Sequence, residues 1–255
     1  MKIAVVPDLQ VKPSSNIDHI GWIANYLVEK KPDVIVQLGD FADMPSLSTY
    51  DVGRKSFEGR QYTEDVRAVQ KAMRKLMIPI KNEQNRLRMN KQKSWKPRLI
   101  LTLGNHENRI DRAIDADRKL EGLISVKDLE YEDWGWEVYP YLQPVEVSGI
   151  SFCHYFVSGV MGRPVTSAKM LLTRHHMSCV AGHQQGRDIA YGSRPNGDRL
   201  LGLISGSCYL DDEEYLNPQT NDCWHGIWML HEVTERGSCD EMPVSLDYLR
   251  NKYGG

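Results

Sequence analysis

The residues best equipped for chemistry in this 255-residue chain are acids, amides and histidines that follow apolar runs. The fullest instance is Leu99-Ile-Leu-Thr-Leu-Gly-Asn-His-Glu-Asn-Arg109. Its mostly apolar start predicts a buried strand, and Gly104 lets the backbone turn sharply before Asn105, His106 and Glu107. Residues 2–8 run likewise into Asp8 and Gln10, and residues 34–40 into Gly39 and Asp40. Residues 178–183 deliver His183, with Gln185 just beyond. Carboxylates, amides and imidazoles are ligands for divalent metals, and histidine is also an acid–base group near neutral pH. Open α/β sheets gather such groups at the C-terminal ends of their strands.

The elements that must position these residues follow from pattern. After the first strand, Asn16 caps a helix whose apolar face is Ile17, Ile20, Ile23, Ala24 and Leu27, and Pro32 marks its end. A strand, a helix and the strand to Asp40 imply parallel pairing with a right-handed crossover. Residues 41–59 read as a long loop. Residues 62–90 read as a helix that Thr63 can cap, with Val66, Val69, Met73, Leu76, Met77 and Ile80 on one stripe. Pro79 is expected to kink or split it. Its other face carries Arg67, Lys71, Arg74, Lys75, Lys81, Arg86 and Arg88. Residues 91–98 form a basic connector containing Trp95. A helix over 107–116 starts at the candidate site. Residues 130–135 are an acidic, aromatic loop. Residues 136–147 and 150–156 read as two antiparallel strands around Ser148-Gly149, and 167–176 as a short helix. Strands follow over 188–191, 200–206 and 226–233, with an acidic loop at 211–214. The chain shows no repeat, low-complexity segment or domain linker, so 1–255 reads as a single domain with a basic helical insert at about 41–97.

No apolar run approaches the roughly 20 residues of a membrane helix. The N-terminus enters a strand at once, which predicts no secretory signal. The odd count of 5 cysteines, with no Cys-x-x-Cys pair, predicts reduced thiols in a cytoplasm. The net charge of -2 hides an asymmetry. Residues 54–98 carry about 14 Lys/Arg against about 4 Asp/Glu, roughly +10, which leaves about −12 for the rest.

Five motifs in order resemble those of the calcineurin-like metallophosphoesterase superfamily. They are Asp8-Leu9-Gln10, Gly39-Asp40, Gly104-Asn105-His106-Glu107, His154, and Gly182-His183-Gln184-Gln185. The resemblance implies a four-layer α-β-β-α sandwich of two mixed sheets with metals at the strand ends. It implies one metal on Asp40, Asn105, His154 and His183, and another on Asp8, Asp40 and positions 10 and 185. Two divalent ions about 3.5–4 Å apart can clamp a phosphate and generate hydroxide near neutral pH, and Asp40 suits the bridging carboxylate. By resemblance His106 lies beside the leaving oxygen as general acid or charge stabiliser, Glu107 orients it, and Arg109 reaches a phosphate oxygen. Asp43 stands where the protein phosphatases have a second acid, but Met44 replaces their following arginine.

The departure from the superfamily is Gln10 and Gln185, where histidines are usual. Both exchanges fall on one metal. An amide oxygen is a hard, neutral ligand, so that position suits Mn²⁺, Mg²⁺ or Ca²⁺ better than Zn²⁺. The other keeps two imidazoles and accepts Mn²⁺, Fe²⁺ or Zn²⁺. Two divalent ions are therefore expected, Mn²⁺ foremost. Compact members with this glutamine pattern also look like bacteriophage-encoded ones.

Blander readings compete. Asp8 and Asp40 can cap turns, and Gln10 and Gln185 can be loop residues of a dead site. His175 and His176 rival His154, but sit at a helix end where histidine is favoured, whereas His154 follows an apolar strand. His225 and His231 read as structural, His19 as a helix-surface residue, and Cys153 and Cys179 as core. The basic helix can be a solvated face. The first functional expectation is a phosphodiesterase or nuclease in which Arg67, Arg74, Lys75, Arg86 and Arg88 track nucleic-acid phosphates and Trp95 or Tyr62 stacks on a base. The alternatives are a phosphomonoesterase acting on a nucleotide or phosphoprotein, and a binding protein that has lost the chemistry.

Overall fold

Short runs of branched apolar residues build the sheets, and their alternation decides which layer each side chain joins. The computed structural model describes residues 1–49, 58–210 and 223–255. The start of the basic segment at Arg54 and the acidic loop at 211–214 lie outside the described residues. The strands are β1 (Ile3–Val6), β2 (Val34–Gln37), β3 (Arg98–Thr102), β4 (Glu137–Tyr139), β5 (Val145–Val147), β6 (Ile150–Cys153), β7 (Val157–Ser158), β8 (Arg163–Pro164), β9 (Ser178–Ala181), β10 (Arg187–Ser193), β11 (Arg199–Ser205), β12 (Gly226–His231) and β13 (Asp240–Ser245). The α-helices are α1 (Asp18–Lys30), α2 (Tyr62–Met89), α3 (Asn108–Ala116), α4 (Ala168–His175) and α5 (Leu246–Tyr253).

One sheet has the order β13-β12-β1-β2-β3-β4 and the other β10-β11-β9-β6-β5. Strands β1 to β4 are mutually parallel, with β12 antiparallel to β1 and β13 antiparallel to β12. In the second sheet β11, β9 and β6 are parallel, flanked by antiparallel β10 and β5. Both sheets are therefore mixed, as expected. Strand β1 illustrates the layering. Ala4 and Val6 join the core beneath α1, α2 and α5, whereas Ile3 and Val5 face the second sheet with Phe152, Val180, Leu203 and Trp228. On the far side Leu171 of α4 packs on Cys153, Cys179 and Ile204. The result is the α-β-β-α sandwich.

Four local expectations need correction. Residues 136–147 are not one strand: β4 pairs in parallel with β3, and β5 pairs with β6 in the other sheet. Pro140 has no N–H to extend the ladder, and Leu142 turns at φ 64° to carry the chain across. Helix α2 runs through Pro79 without splitting, because its buried stripe from Val69 to Leu87 is held against the body of the fold. Trp95 is buried and donates its indole N–H to Pro32 O at 2.8 Å, so it offers no face to a base. His19 lies in the core and not on the helix surface, at 1% exposure.

Burial pushes the His19 imidazole down to about 4. Above its unfolded value near 6.5 it is neutral in both states, and its contribution to stability is complete. As pH falls from there towards 4, only the unfolded chain takes the proton. Stability should therefore drop by about 3 kcal/mol across that window and no further below it. Denaturant titrations from pH 7 to 4 on the parent and on His19→Leu check this: the variant should lose that part of the slope.

Candidate metal centre

The C-terminal ends of β1, β2 and β3 in one sheet and β6 and β9 in the other converge on one place. Asp8 follows β1, Asp40 follows β2, Asn105 and His106 follow β3, His154 follows β6 and His183 follows β9. Gln10, Asp40 and His183 adopt left-handed backbone conformations, with φ of 45°, 49° and 67°. That strain persists only where the surroundings impose it. The Asp40 carbonyl accepts from Leu9 N at 3.0 Å and Gln10 N at 2.8 Å, and its carboxylate accepts from His106 N at 2.9 Å. Gly104 is required by space: a Cβ there would stand 2.0 Å from Asp40 Oδ1.

The polar atoms at the centre are arranged for a cation. His154 is fully buried, and its Nδ1–H donates to Leu38 O at 2.8 Å. Burial favours the neutral form of this ring, in which Nε2 carries a lone pair. That lone pair faces Asn105 Oδ1 at 2.9 Å and Asp40 Oδ2 at 3.4 Å. A lone pair on His154 Nε2 and the Asp40 carboxylate would both be stabilised by a positive charge between them, and a histidine whose other nitrogen donates to a carbonyl is oriented as a ligand. Asp40, His154 and His183 each offer a ligand atom within 4.8 Å of the others. Burial and His154 push His183 down to about 4, which keeps it neutral and able to ligate. Beside them, Asp8 is fully buried with Oδ2 lacking any hydrogen-bond partner. Burial and repulsion from Asp40 hold its carboxyl well above the usual range. A second cation would relieve both.

His106 stands at the edge of this centre, with Nε2 3.8 Å from Asp40 Oδ2. Its Nδ1 is 2.7 Å from Asp43 Oδ1. Burial opposes its charged form, but Asp40 and then Asp43 outweigh that and raise it. Asp43 thus orients His106, the role expected of Glu107. Arg109 donates to Asp43 O at 2.7 Å and lies 3.2 Å from His106 Nε2, so it is held by the loop after β2. Glu107 does not touch His106. Its buried carboxylate instead accepts backbone N–H bonds from Asp40 at 3.0 Å, Ala42 at 2.9 Å and Gly104 at 2.9 Å. It pins the two loops that carry Asp40 and Asn105 to each other, and Tyr131 donates to it at 3.3 Å. Burial and Asp40 push Glu107 up to about 7.

Gln10 is buried at the mouth of β1, and Gln185 follows His183 with its side chain bound to Tyr209. The basic residues of α2 are spread along the helix and not gathered at the centre. Asp65 accepts from Ser46 N near the loop after β2, whereas Glu83 pairs with Lys31 at the opposite end of the sheet. The 18 helical steps from one to the other span about 27 Å. Arg67 pairs with Glu64, Lys75 with Asp18 and Arg86 with Glu83, while Arg88 reaches Asn85. Arg74 is exposed on the outer face.

Sequence spacing flagged Asp43, three residues past Asp40, but it could not show which side chain meets His106. Tyr131, Tyr209 and Cys223 carried no motif and reach the centre only through the tertiary fold. The family model for calcineurin-like phosphoesterases matches residues 1–217. No curated protein matches the chain. The chain belongs to the calcineurin-like phosphoesterase family, and is a divalent-metal-dependent phosphoesterase.

Proposed function

We propose that this phosphoesterase hydrolyses phosphodiester bonds in nucleic acid, with Mn²⁺ as its working metal. Asp40, Asn105, His154 and His183 hold the tighter ion, and Asp8 and Gln10 with Asp40 the second. Ions so held supply Lewis acidity towards phosphoryl oxygens and lower the pKa of water. His106, whose charged form Asp40 and Asp43 favour, serves as general acid or charge stabiliser towards the leaving oxygen. The observation that carries the chemistry is the cluster of Asp40, His154 and His183 ligand atoms within 4.8 Å of one another, with Asn105 Oδ1 2.9 Å from His154 Nε2. The five cysteines are thiols and not disulfides, which supports a reducing compartment such as the cytoplasm. No helix among the described residues is long and apolar enough to cross a membrane.

The substrate class rests on the exposed face of α2. Arg67, Arg74, Lys81 and Arg88 recur every seven residues there and form one stripe, about 10 Å from each to the next. A small nucleotide needs one or two such charges, not a row. Oligonucleotide binding should weaken steeply with salt, with a log–log slope of about −0.7 per phosphate contacted. Serine at Arg74, Lys75, Arg86 and Arg88 together should flatten that slope and leave hydrolysis of a small diester nearly unchanged. The pairing of Arg67, Lys75 and Arg86 with acids of the same chain favours a second reading, a phosphomonoesterase. A parent without salt dependence, or a quadruple variant that cleaves oligonucleotides as well as the parent, would put that reading first.

A further inference from the structure

We propose that Tyr209 and Cys223 hold the Gln185 amide oxygen away from metal, which makes the Asp8 side the weaker of two metal positions. This rests on the reading that Asp8 and Asp40 hold a second ion. The Tyr209 hydroxyl donates to Gln185 Oε1 at 2.5 Å, and Cys223 Sγ lies 3.7 Å from the same atom. A phenol and a thiol converging on one amide atom mark it as the oxygen, since both are donors and a thiol is a poor acceptor. A carbonyl oxygen has two lone pairs, and these contacts engage both. A metal ligand must give one up.

The lock is built into the wall of the centre. Tyr209 is 5% exposed and packs edge-on against the His225 ring, with centroids 4.8 Å apart. His225 Nδ1 is 3.1 Å from Ser207 Oγ. Ser207 lies along Asp8 in a parallel bridge, and the next residue, Cys208, donates its N–H to Asp8 O at 2.7 Å. Trp224 N donates to Gln185 O at 2.9 Å and fixes the glutamine main chain. Asp8 is held through one carboxylate oxygen alone: Oδ1 accepts from His183 N at 3.1 Å, and Oδ2 lacks a partner. The position therefore has a carboxylate that calls for a cation and an amide oxygen that is withheld.

Calorimetric titration of the metal-free full chain with Mn²⁺, with free ion followed by electron paramagnetic resonance, tests this. The parent should bind one ion tightly and a second at least about tenfold more weakly. Tyr209→Phe frees one lone pair and should tighten the second event by roughly two- to tenfold, the worth of one hydrogen bond to a neutral acceptor. The first event should stay unchanged. Cys223→Ala should shift the second event in the same direction by less, and it serves if Tyr209→Phe does not fold. Asp8→Asn should abolish the second event. If that event survives Asp8→Asn, the reading of the second position fails and the lock with it. If Asp8→Asn removes the event while Tyr209→Phe and Cys223→Ala leave it unmoved, the lock alone fails. Two equally tight ions in the parent would also overturn it.

Discussion

Asp40→Ala is expected to strip the chain of tightly bound divalent metal and to lower phosphoester turnover by about 10⁴-fold, since several kcal/mol of transition-state stabilisation come from the ions. Asp40 is 1% exposed, and its carboxylate lies 3.4 Å from His154 Nε2 and 3.8 Å from His106 Nε2. It is the one acid within ligand reach of both His154 and His183 in the described cluster. With it removed, Asn105, His154 and His183 present only neutral donors, and the proposed Asp8 position would lose the carboxylate it shares. His106 also loses the stronger of the charges that hold its proton. Metal content by mass spectrometry and initial rates on a small diester measure both effects. Thermal unfolding of the variant shows whether the fold is kept. A folded Asp40→Ala chain that retains stoichiometric metal would refute the assignment.

His106→Ala is expected to lower kcat by about 10²–10⁴-fold, the range for a positioned acid–base group. Metal content should stay at the parent level. The ring's Nδ1 is held by Asp43 and its Nε2 is at the rim, so it contributes no atom to the described ligand cluster. The substitution leaves the backbone N–H that binds Asp40 in place. The loss should be larger for substrates with poor leaving groups, because an activated nitrophenolate needs little protonation. A variant that loses metal together with activity would make His106 a ligand and not an acid.

Much of this centre was legible because its parts lie in short chain stretches. An apolar run followed by Gly-Asp or Gly-Asn-His fixes a buried strand and the polar residues at its end. Periodicity in α1 and α2 fixed their buried faces. Contacts set by topology were not legible. Glu107 neighbours His106 in sequence, yet the turn into α3 points it back to the loop after β2, where three N–H groups await a carboxylate. Asp43 meets His106 only because β2 and β3 are adjacent and parallel. Residues 136–147 alternate like one strand, and nothing local says that β4 and β5 belong to different sheets. His19 reads as a surface residue because a lone histidine carries no sign of the core side chains that cover it. Trp95 sits among lysines in sequence, yet its ring closes the core at the foot of β2.

The proposed function stands on divalent metal held around Asp40, Asn105, His154 and His183 as the agent of phosphoester hydrolysis. The most direct measurement is turnover of bis-p-nitrophenyl phosphate by the full chain after chelation, followed by titration with Mn²⁺, for the parent and Asp40→Ala side by side. No turnover is expected in the chelated parent, with recovery as the first tight ion and then the second bind, and no recovery in Asp40→Ala. Turnover that survives chelation, or an Asp40→Ala chain that Mn²⁺ restores to the parent rate, would contradict it.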